Sequence, residues 1–529
     1  MPAAASQVGL ILVATLVVYS SVVLARQRNF ARKPRKTLSR LDTDAPLRPQ
    51  PYATPARSVD NHLHKTAVTL MHELGISMAG LSPLRRRPSI ASSSILTSEE
   101  YDKKTDLMHE GRNQGGKLVV VMVGLPGRGK SYMARKVARY LNWINYATRV
   151  FNIGNYRRKL LGAEHGADFF DPQNPLGQKQ RMEMAEAAMD DMLNYLNNEG
   201  EVAIYDGTNS TLERRLWIEK RIAETDGFHL LFIESVCDDE AIIERNIIDT
   251  KLRSPDYRGV TPEMAVEDFR KRIANYRKNY EALGAADEIF SYVKVIDAGT
   301  KLIMNRIHGY LPMKILSFIS NLHIVPRPIY LSSHGESMND LSARLGGEAE
   351  LTPRGVEYSV ALAKFLSENP ETAPSALSLW YSTAKCARAT VRHIESHTRV
   401  QWRALRPLEA GAYSHLTRSE LKLHHAQEYA MRAANRLWYR YPLGESYVDV
   451  ITRLEPVIFE LERSRSPVLL VAHPEVIRCL YGYFLDLPLL EIPKVHAPLH
   501  ELIELHMTAY ECVETRHCLT PIKAHDLEA

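Results

Sequence analysis

The sequence predicts an α/β protein built from two consecutive domains, each with a parallel sheet. From Lys117 onward, apolar runs of strand length alternate with helical stretches, which is typical of parallel strands covered by helices. A glycine-rich loop follows the first of these strands. A second series of strands begins at Ile329, after two prolines that flank Arg327. These observations place one α/β domain at residues 115–325 and another at residues 326–522.

Composition and charge are ordinary for a globular chain. At roughly 100–200 residues per domain, 529 residues correspond to about two to four domains. The net charge of +5 is too small for this length to indicate a nucleic-acid partner. The five cysteines show no metal-binding spacing, and such a sparse set fits a reducing compartment better than a disulfide framework. We therefore expect a cytoplasmic protein that binds no nucleic acid.

Residues 1–28 contain an apolar run that basic residues follow. The run from Val8 to Ala25 is about as long as the shortest membrane-spanning helix, roughly 17 residues, and Arg26 comes directly after it. Charges in that position would keep the rest of the chain in the cytosol, whereas a secretory signal carries them before the run. Two interpretations stay open: a membrane anchor at residues 8–25, or a marginal segment that spans nothing.

Residues 29–114 are rich in Arg, Ser and Pro, and we expect a basic regulatory or disordered region there. The stretch RRRPSIASSS places two arginines and one spacer before Ser89, a pattern that suits a basophilic protein kinase. A phosphate on Ser89 would add close to two negative charges beside these arginines. The alternative is a solvated basic loop. Residues 523–529 are expected to form a short tail.

The loop after the first strand satisfies the phosphate-binding pattern G-x-x-x-x-G-K-[ST] in full. A strand from Lys117 precedes it and a helix from Ser131 to Leu141 follows it, which is the context that the pattern needs. Its glycines let backbone N–H groups turn toward a polyphosphate, and the helix N-terminus adds favourable partial charge. The glycines are Gly124, Gly127 and Gly129. Lys130 would neutralise the phosphates and Ser131 would hold Mg²⁺, so the loop predicts a nucleotide site.

Asp206 ends the predicted strand VAIYD, where a second carboxylate near the metal is expected. The alternative is an aspartate that only begins a turn. The other predicted strands are His229–Val236, Tyr292–Asp297, Ile329–His334, Leu377–Ser382 and Val468–His473. Two of the last three end in a histidine.

The motifs GLPGRGKSYMARKVARYLNW, FNIGNYRRKL, YDGTNSTLERR, KLRSPDY and DFRKRIANYRKNYE occur in this order. Together with HGES, RLGGEAELTPRG, YRYPLGESYVDVITRLEPVIFELER and RCLYGYFLD, they closely resemble the 6-phosphofructo-2-kinase/fructose-2,6-bisphosphatase family. The resemblance extends from about Lys117 to Thr520. It implies a P-loop kinase domain, mainly a parallel sheet with flanking helices, followed by a histidine-phosphatase domain of phosphoglycerate-mutase-like α/β fold, in a homodimer.

For the first half, the resemblance implies phosphorylation of fructose 6-phosphate at its 2-hydroxyl by ATP and Mg²⁺. The product, fructose 2,6-bisphosphate, regulates glycolysis and gluconeogenesis. The residues that match catalytic positions are Lys130, Asp206 and Lys251, with Ser131 and Asp206 on the metal. Those that match sugar-phosphate contacts are Arg157, Arg158, Arg181, Thr208, Arg214, Arg272 and Tyr276. Arginine suits phosphate because its planar fork makes two parallel charged hydrogen bonds.

The second half departs from the family at its catalytic positions. His334 matches the nucleophile and His473 the second histidine, and Arg388 is matched to a phosphate-binding arginine. However, Ser333 replaces the arginine before the nucleophile, and Pro407 replaces the acidic glutamate. One lost donor to a developing charge costs about 10²–10³ in rate, and a lost general acid about 10²–10⁴. We therefore predict an inactive or very weak phosphatase domain.

Further departures agree with this prediction. Asp340 replaces an asparagine, Leu443 a lysine and Pro474 a glutamine, although Arg478 is retained. Two alternatives stay open. In the first, Glu409 serves as a shifted acid and the chain is a bifunctional kinase and bisphosphatase. In the second, the chain is a catalytically silent metabolite sensor, which the complete kinase motifs disfavour.

Overall fold

The computed structural model describes residues 116–163, 165–248, 255–322, 326–508 and 512–520. The apolar segment at residues 8–25, the regulatory candidate Ser89, the catalytic candidate Lys251 and the tail lie outside the described residues. The described elements belong to one compact unit, Leu96–Ala529. Within the ranges given above, no helix combines the length and the apolar character needed to cross a membrane.

The first half forms a six-stranded sheet in the order β2-β3-β1-β4-β5-β6. Its strands are β1 (Lys117–Val123), β2 (Thr148–Asn152), β3 (Val202–Asp206), β4 (Phe228–Val236), β5 (Tyr292–Ile296) and β6 (Lys301–Asn305). Strands β1 to β5 are parallel, and β6 pairs with β5 in the antiparallel direction. Strands β1 and β3 are buried along almost their whole length, which explains their continuous apolar runs.

Helices cover both faces of this sheet and connect its strands. They are α1 (Lys130–Trp143), α2 (Ile153–Leu161), α3 (Pro175–Asn198), α4 (Leu212–Ala223), α5 (Glu240–Asn246), α6 (Pro262–Lys278) and α7 (Tyr310–Ile319). Side chains of Asn152, Asn174 and Thr211 accept hydrogen bonds from the first turns of α2, α3 and α4. These caps satisfy N–H groups that have no partner within the helix.

The second half forms another six-stranded sheet, in the order β12-β11-β7-β10-β8-β9. Its strands are β7 (Pro328–Ser333), β8 (Ser378–Ser382), β9 (Thr398–Trp402), β10 (Val468–Ala472), β11 (Glu501–Met507) and β12 (Cys512–Cys518). Its helices are α8 (Met338–Leu341), α9 (Pro353–Glu368), α10 (Lys385–Thr390), α11 (Arg418–His424), α12 (Ala426–Ala434), α13 (Tyr447–Arg463) and α14 (Pro474–Phe484). Strands β7 to β10 pair in parallel, while β11 is antiparallel to both of its neighbours.

The predicted fold class, two successive α/β domains, is confirmed. For six strands the sequence predicted both the first and the last residue. They form as β3, β4, β5, β7, β8 and β10, each within one residue of its predicted bounds. The sheets are mixed rather than wholly parallel, because β6, β11 and β12 run antiparallel. Strands β2, β6, β9, β11 and β12 were not predicted. Of these, β6, β9 and β12 are largely exposed or half-buried and lack a continuous apolar run.

Helix α1 also packs against the second half of the chain. Apolar residues of α1 and of helices α13 and α14 belong to one hydrophobic cluster. The Trp143 indole Nε1 donates a hydrogen bond to the Cys479 carbonyl over 2.9 Å. Lys136 and Glu462, both buried, form an ion pair of 2.8 Å. The helix that begins at the glycine loop therefore also holds the two halves together.

Candidate functional site

A cleft of about 970 Å³ opens where β1, β2 and β3 end. In parallel α/β sheets the carboxyl ends of the strands are the usual place for a ligand. The sequence-predicted residues that line the cleft are Gly127, Gly129, Lys130, Ser131, Arg157, Arg158, Arg181, Asp206, Thr208, Arg214, Arg272 and Tyr276. The fold thus collects these residues from separate motifs, and Gly124 lies at the start of the same loop.

The glycine loop has the backbone geometry that the pattern predicts. Gly124, Gly127 and Gly129 have φ angles of 131°, 78° and 77°, a region that residues with a side chain rarely adopt. Lys130 is buried, and its Nζ donates to the Leu125 carbonyl over 2.6 Å. The ammonium group therefore folds back over the loop, where it can neutralise a phosphate held by the backbone N–H groups.

Ser131, Asn152 and Asp206 meet at the ends of α1, β2 and β3. The Asn152 amide Nδ2 lies 3.5 Å from the Ser131 Oγ and donates to the Asp206 Oδ2. Asp206 is 2 % exposed, and its Oδ1 has no hydrogen-bond partner among the described residues. A buried carboxylate oxygen of this kind is unfavourable unless a cation or a donor satisfies it. Mg²⁺ prefers oxygen ligands, so Ser131 and Asp206 fit a magnesium site.

Three arginines converge on one carboxylate, that of Asp256. Its distances to the guanidinium groups of Arg157, Arg158 and Arg272 are 2.6, 3.3 and 3.5 Å. Burial raises the pKa of Asp256, but attraction from Arg157 and Arg158 outweighs burial and holds the pKa below its usual value. Among the described residues, the Nε and Nη1 atoms of Arg157 have no hydrogen-bond partner although they are buried, and the same holds for the Nε of Arg272. The cluster therefore has spare donors for a second anion.

Aromatic rings hold several of these arginines in place. The Arg272 guanidinium lies 3.7 Å from the centroid of the Phe170 ring, and that of Arg157 lies 5.5 Å from it. The Arg214 guanidinium lies 4.3 Å from the Trp217 ring. Burial lowers the pKa of Arg157 and of Arg214. A cation over an aromatic face is stabilised without being neutralised, so it remains able to attract an anion.

Three further predicted residues complete the wall of the cleft. Arg181 donates from Nη1 to the Phe169 carbonyl. The carbonyl of Thr208 accepts from the first glycine N–H of the loop over 3.0 Å, which ties the strand β3 turn to the phosphate loop. The Tyr276 ring lies 5.7 Å from that of Phe170. The sequence analysis missed Asn152, Asp256 and Phe170. The first two lie inside motifs that were quoted for other residues, whereas Phe170 lies outside every quoted motif.

In the second half, two histidines lie side by side at the ends of adjacent strands. His334 follows β7 and His473 follows β10, and their ring centroids are 4.8 Å apart. The His334 Nδ1 lies 2.8 Å from the Gly335 carbonyl. The His473 Nε2 lies 3.1 Å from the Ser382 Oγ. The predicted pairing of these two histidines in one site is therefore present.

Cys386 joins this pair, and the sequence analysis did not predict it. Burial lowers the pKa of His334, but the Cys386 sulfur and the Asp340 carboxylate raise it, and the balance is a pKa of about 10. Burial and the charge on His334 hold the pKa of His473 well below its usual value. The two histidine side chains thus have pKa values shifted in opposite directions.

Arg388 is not brought to the histidines, contrary to the match made from the sequence. It is exposed, whereas Cys386, two residues earlier on α10, is buried. Residues two apart on a helix point in nearly opposite directions, so only one of them can face the site. The position beside the histidines is thus held by a thiol, and the buried Ser333 Oγ next to it has no hydrogen-bond partner among the described residues.

The loop around Pro407 carries no buried acid. The Pro407 carbonyl accepts from the Arg453 Nη2 over 3.0 Å, and Arg453 also forms an ion pair of 2.8 Å with Glu445. Glu409 is exposed, and its backbone N–H donates to the Glu445 side chain. Arg453 therefore fixes this loop, and the structure points the alternative acid, Glu409, toward solvent.

The structure also places the three other substituted positions and the retained Arg478. Leu443 is 92 % exposed. Pro474 occupies the first turn of α14, where proline is well tolerated. Asp340 caps α8 through Ser337, and its Oδ2 lies 3.8 Å from the His334 Nδ1. Arg478 is buried and donates from Nε to the Val495 carbonyl over 2.9 Å.

The fold and the cleft define a P-loop kinase domain joined to a domain of histidine-phosphatase fold. The family model of 6-phosphofructo-2-kinase matches residues 105–326, and that of the histidine phosphatase superfamily (branch 1) matches residues 329–520. The chain belongs to the 6-phosphofructo-2-kinase/fructose-2,6-bisphosphatase family. It is an enzyme with a 6-phosphofructo-2-kinase domain.

Curated relatives support this assignment. A 6-phosphofructo-2-kinase/fructose-2,6-bisphosphatase of Caenorhabditis elegans is 45% identical over 421 residues, which cover 78% of this chain and 90% of the relative. The protein of the same name from Arabidopsis thaliana is 44% identical over 407 residues, covering 76% of this chain and 54% of the relative. Among solved structures, the alpha-ribazole phosphatase of Shigella flexneri aligns with 36% of this chain and 96% of its own, at 16% identity and a TM-score of 0.33.

Proposed function

We propose that this enzyme transfers the γ-phosphoryl group of ATP to the 2-hydroxyl of fructose 6-phosphate and hydrolyses the product slowly or not at all. The observation that carries the proposal is the single cleft that collects the phosphate loop, Asp206 and the arginine cluster. The names of its relatives include both kinase and bisphosphatase. Whether the chain also hydrolyses its product therefore depends on the second domain.

In the cleft, phosphoryl transfer needs positioning and charge neutralisation more than it needs a strong base. The loop N–H groups and Lys130 would hold the ATP phosphates. Ser131 and Asp206 would hold Mg²⁺, which supplies positive charge to the phosphate oxygens when it is bound. Lys251, which we propose beside the transferred group, belongs to a motif whose last residues include Asp256.

At the other end of the cleft, the arginine cluster would bind the 6-phosphate of the sugar. Arg157, Arg158 and Arg272 are held by Asp256, and two of them keep buried donors for which the described part of the chain offers no partner. A phosphate dianion can accept several such hydrogen bonds at once. Arg181, Thr208, Arg214 and Tyr276 line the space between this cluster and the phosphate loop and would contact the sugar.

In the second domain, the positions next to the two histidines hold no arginine. Ser333 and Cys386 stand at the two positions beside the histidines, Arg388 is exposed, and Pro407 has no titratable group. A developing charge without a preorganised donor costs about 10²–10³ in rate for each missing group. These features support loss of hydrolysis, and the bifunctional alternative requires an acid and a cation from elsewhere.

The test measures synthesis and hydrolysis of fructose 2,6-bisphosphate separately with the full-length chain. We expect ATP-dependent formation of fructose 2,6-bisphosphate and little phosphate release from that product without ATP. Lys130→Met should lower synthesis by about 10²-fold or more, since it removes a charge from the transition state. Comparable rates in both directions would establish the bifunctional alternative. Binding of ATP and fructose 6-phosphate without turnover would establish the sensor.

A second experiment tests the loss of the phosphatase site directly. The combination Ser333→Arg, Cys386→Arg and Pro407→Glu should raise phosphate release, because it returns two cations and one acid to the histidines. Arg388→Ala is the matched control, since the side chain is exposed, and it should leave both activities unchanged. Measurable release by the unaltered chain that falls on Arg388→Ala would contradict this assignment.

A further inference from the structure

The second domain contains a cluster that the proposed kinase reaction does not use: His334, Cys386 and His473. These side chains are 4 %, 6 % and 4 % exposed. One ligand-capable atom from each lies within 4.8 Å of the others. They come from the end of β7, from α10 and from the end of β10, so the tertiary fold alone brings them together. We propose that these three residues bind a divalent transition metal of the Zn²⁺ type.

The donor set selects this class of metal. Two imidazole nitrogens and one thiolate sulfur are ligands that Zn²⁺ accepts in tetrahedral sites, with a fourth position left for water. Mg²⁺ and Ca²⁺ prefer oxygen ligands, so they are poor candidates here. A cluster that mixes nitrogen and sulfur donors in a buried site therefore differs in chemistry from the magnesium site proposed in the kinase cleft.

Both histidines are oriented as metal ligands usually are, with the second ring nitrogen hydrogen-bonded to an oxygen. The His334 Nδ1 faces the Gly335 carbonyl at 2.8 Å, and a carbonyl can only accept, so Nδ1 carries the hydrogen. This leaves the Nε2 of His334 for the metal. The His473 Nε2 lies 3.1 Å from the Ser382 hydroxyl, which can accept its hydrogen and leaves Nδ1 for the metal.

The surrounding charges also favour a cation over a phosphate. The Asp340 Oδ2 lies 3.8 Å from the His334 Nδ1, and the neighbouring positions hold Ser333 and Cys386. The nearby cations Arg453 and Arg406 form ion pairs with Glu445 and Glu348, and Arg453 also donates to backbone carbonyls. On binding, one metal–sulfur and two metal–nitrogen bonds form, and one proton, that of the Cys386 thiol, leaves to solvent. No oxidant or reductant is required.

The experiment uses the full-length chain, stripped with a chelator and then supplied with Zn²⁺ or Co²⁺ alone. We expect one bound Zn²⁺ per chain by elemental analysis. With Co²⁺ we expect a thiolate-to-cobalt charge-transfer band in the near ultraviolet, which tests sulfur ligation without any substitution. Cys386→Ser should abolish the band, and His473→Ala should lower the metal content. Cys518→Ser, at an exposed position of the same domain, should change neither.

A second group of potential ligands provides the decisive control. Glu371, Glu504 and His506 also lie within reach of one another, at a more exposed place. Metal that is lost in His506→Ala but kept in Cys386→Ser would overturn the proposal, as would the absence of bound metal or of a charge-transfer band in the unaltered chain. None of these readouts depends on kinase or phosphatase activity, so the proposed function and this inference can fail separately.

Discussion

At the scale of single residues, Asp256 and its three arginines are the most informative part of the kinase cleft. The carboxylate fixes the guanidinium groups at short distances, while three buried nitrogen donors of Arg157 and Arg272 have no partner within the described ranges. An arginine cluster held in this way is preorganised, since little side-chain entropy is lost when a phosphate binds. The contribution of one arginine can therefore be measured by substitution.

Arg272→Ala should raise the KM for fructose 6-phosphate and leave kcat nearly unchanged. A hydrogen bond to a charged group contributes about 1.5–3 kcal/mol, which corresponds to about 10- to 150-fold in affinity. Steady-state kinetics at saturating ATP would measure the change. The matched control is Arg270→Ala on the same helix, because Arg270 is exposed and pairs only with Glu244 among the described residues. An equal effect of both substitutions would contradict a specific role for Arg272.

Asp206→Asn should weaken the dependence of synthesis on Mg²⁺. Asp206 is buried and keeps one oxygen without a hydrogen-bond partner among the described residues, and the amide would replace a charged ligand by a neutral one. We expect a loss in rate of about 10²-fold or more, as for other lost electrostatic contacts to a transferring group. Titration of activity with Mg²⁺ would test this, and an unchanged curve would argue that Asp206 only begins a turn.

At the scale of elements, helix caps position the side chains that enter the cleft. Helix α4 carries Arg214, and the Thr211 Oγ1 caps it by accepting from the Arg214 N–H over 3.2 Å. The cap fixes where the helix begins and therefore where its first arginine points. In α10 the position along the helix is equally important, because a shift of two residues decides whether Cys386 or Arg388 faces the histidines.

Thr211→Ala should lower the free energy of unfolding by about 1 kcal/mol, the usual effect of removing a threonine cap. Thr211→Ser should retain most of that stability, because serine offers the same hydroxyl. Urea denaturation of both variants would measure the difference. If serine destabilised the chain as much as alanine, the methyl group and not the hydroxyl would be the important part of Thr211.

At the scale of the whole molecule, helix α1 links the two domains through a buried ion pair. Lys136 and Glu462 lie 2.8 Å apart, and the Tyr483 hydroxyl donates to the same carboxylate over 2.6 Å. Burial raises the pKa of Glu462, but Lys136 outweighs burial and holds the pKa below its usual value of 4.5. The retained second domain thus supports the kinase helix physically, whether or not it is catalytic.

Glu462→Gln should destabilise the chain by about 3–5 kcal/mol, because it leaves the buried charge of Lys136 without its partner. Since the folded pKa of Glu462 is depressed, its contribution is complete above the unfolded pKa and is lost as the pH falls through the folded pKa. The difference between wild type and variant should therefore shrink below about pH 4. Urea unfolding at neutral and acid pH would show this.

The control for this prediction lies on the same helix. Glu460 is partly exposed and pairs with Arg463, so Glu460→Gln should change the unfolding free energy by less than about 1 kcal/mol. A large effect of Glu460→Gln, or a difference for Glu462→Gln that does not depend on pH, would mean that the buried ion pair does not stabilise the contact between the domains.

Features that depend on neighbours in the chain were predictable from the sequence. The phosphate loop is contiguous, its glycine positions follow from the backbone angles that it needs, and the buried strands β1, β3 and β10 are continuous apolar runs. The two histidines were expected together through the family resemblance, since the sequence does not show which strands are neighbours in the sheet. The exposed strands β6, β9 and β12 gave no such signal.

Features that depend on contacts across the chain were decided by the tertiary structure alone. The sequence by itself determined the two α/β domains, the nucleotide loop and the family. It could not show that Asp256 lies among Arg157, Arg158 and Arg272, because close to a hundred residues separate Asp256 from the first two. Nor could it show that Cys386 rather than Arg388 faces His334 and His473. The physical reason is that residues two positions apart on a helix point in nearly opposite directions, and only the packing of the helix fixes which of them is buried.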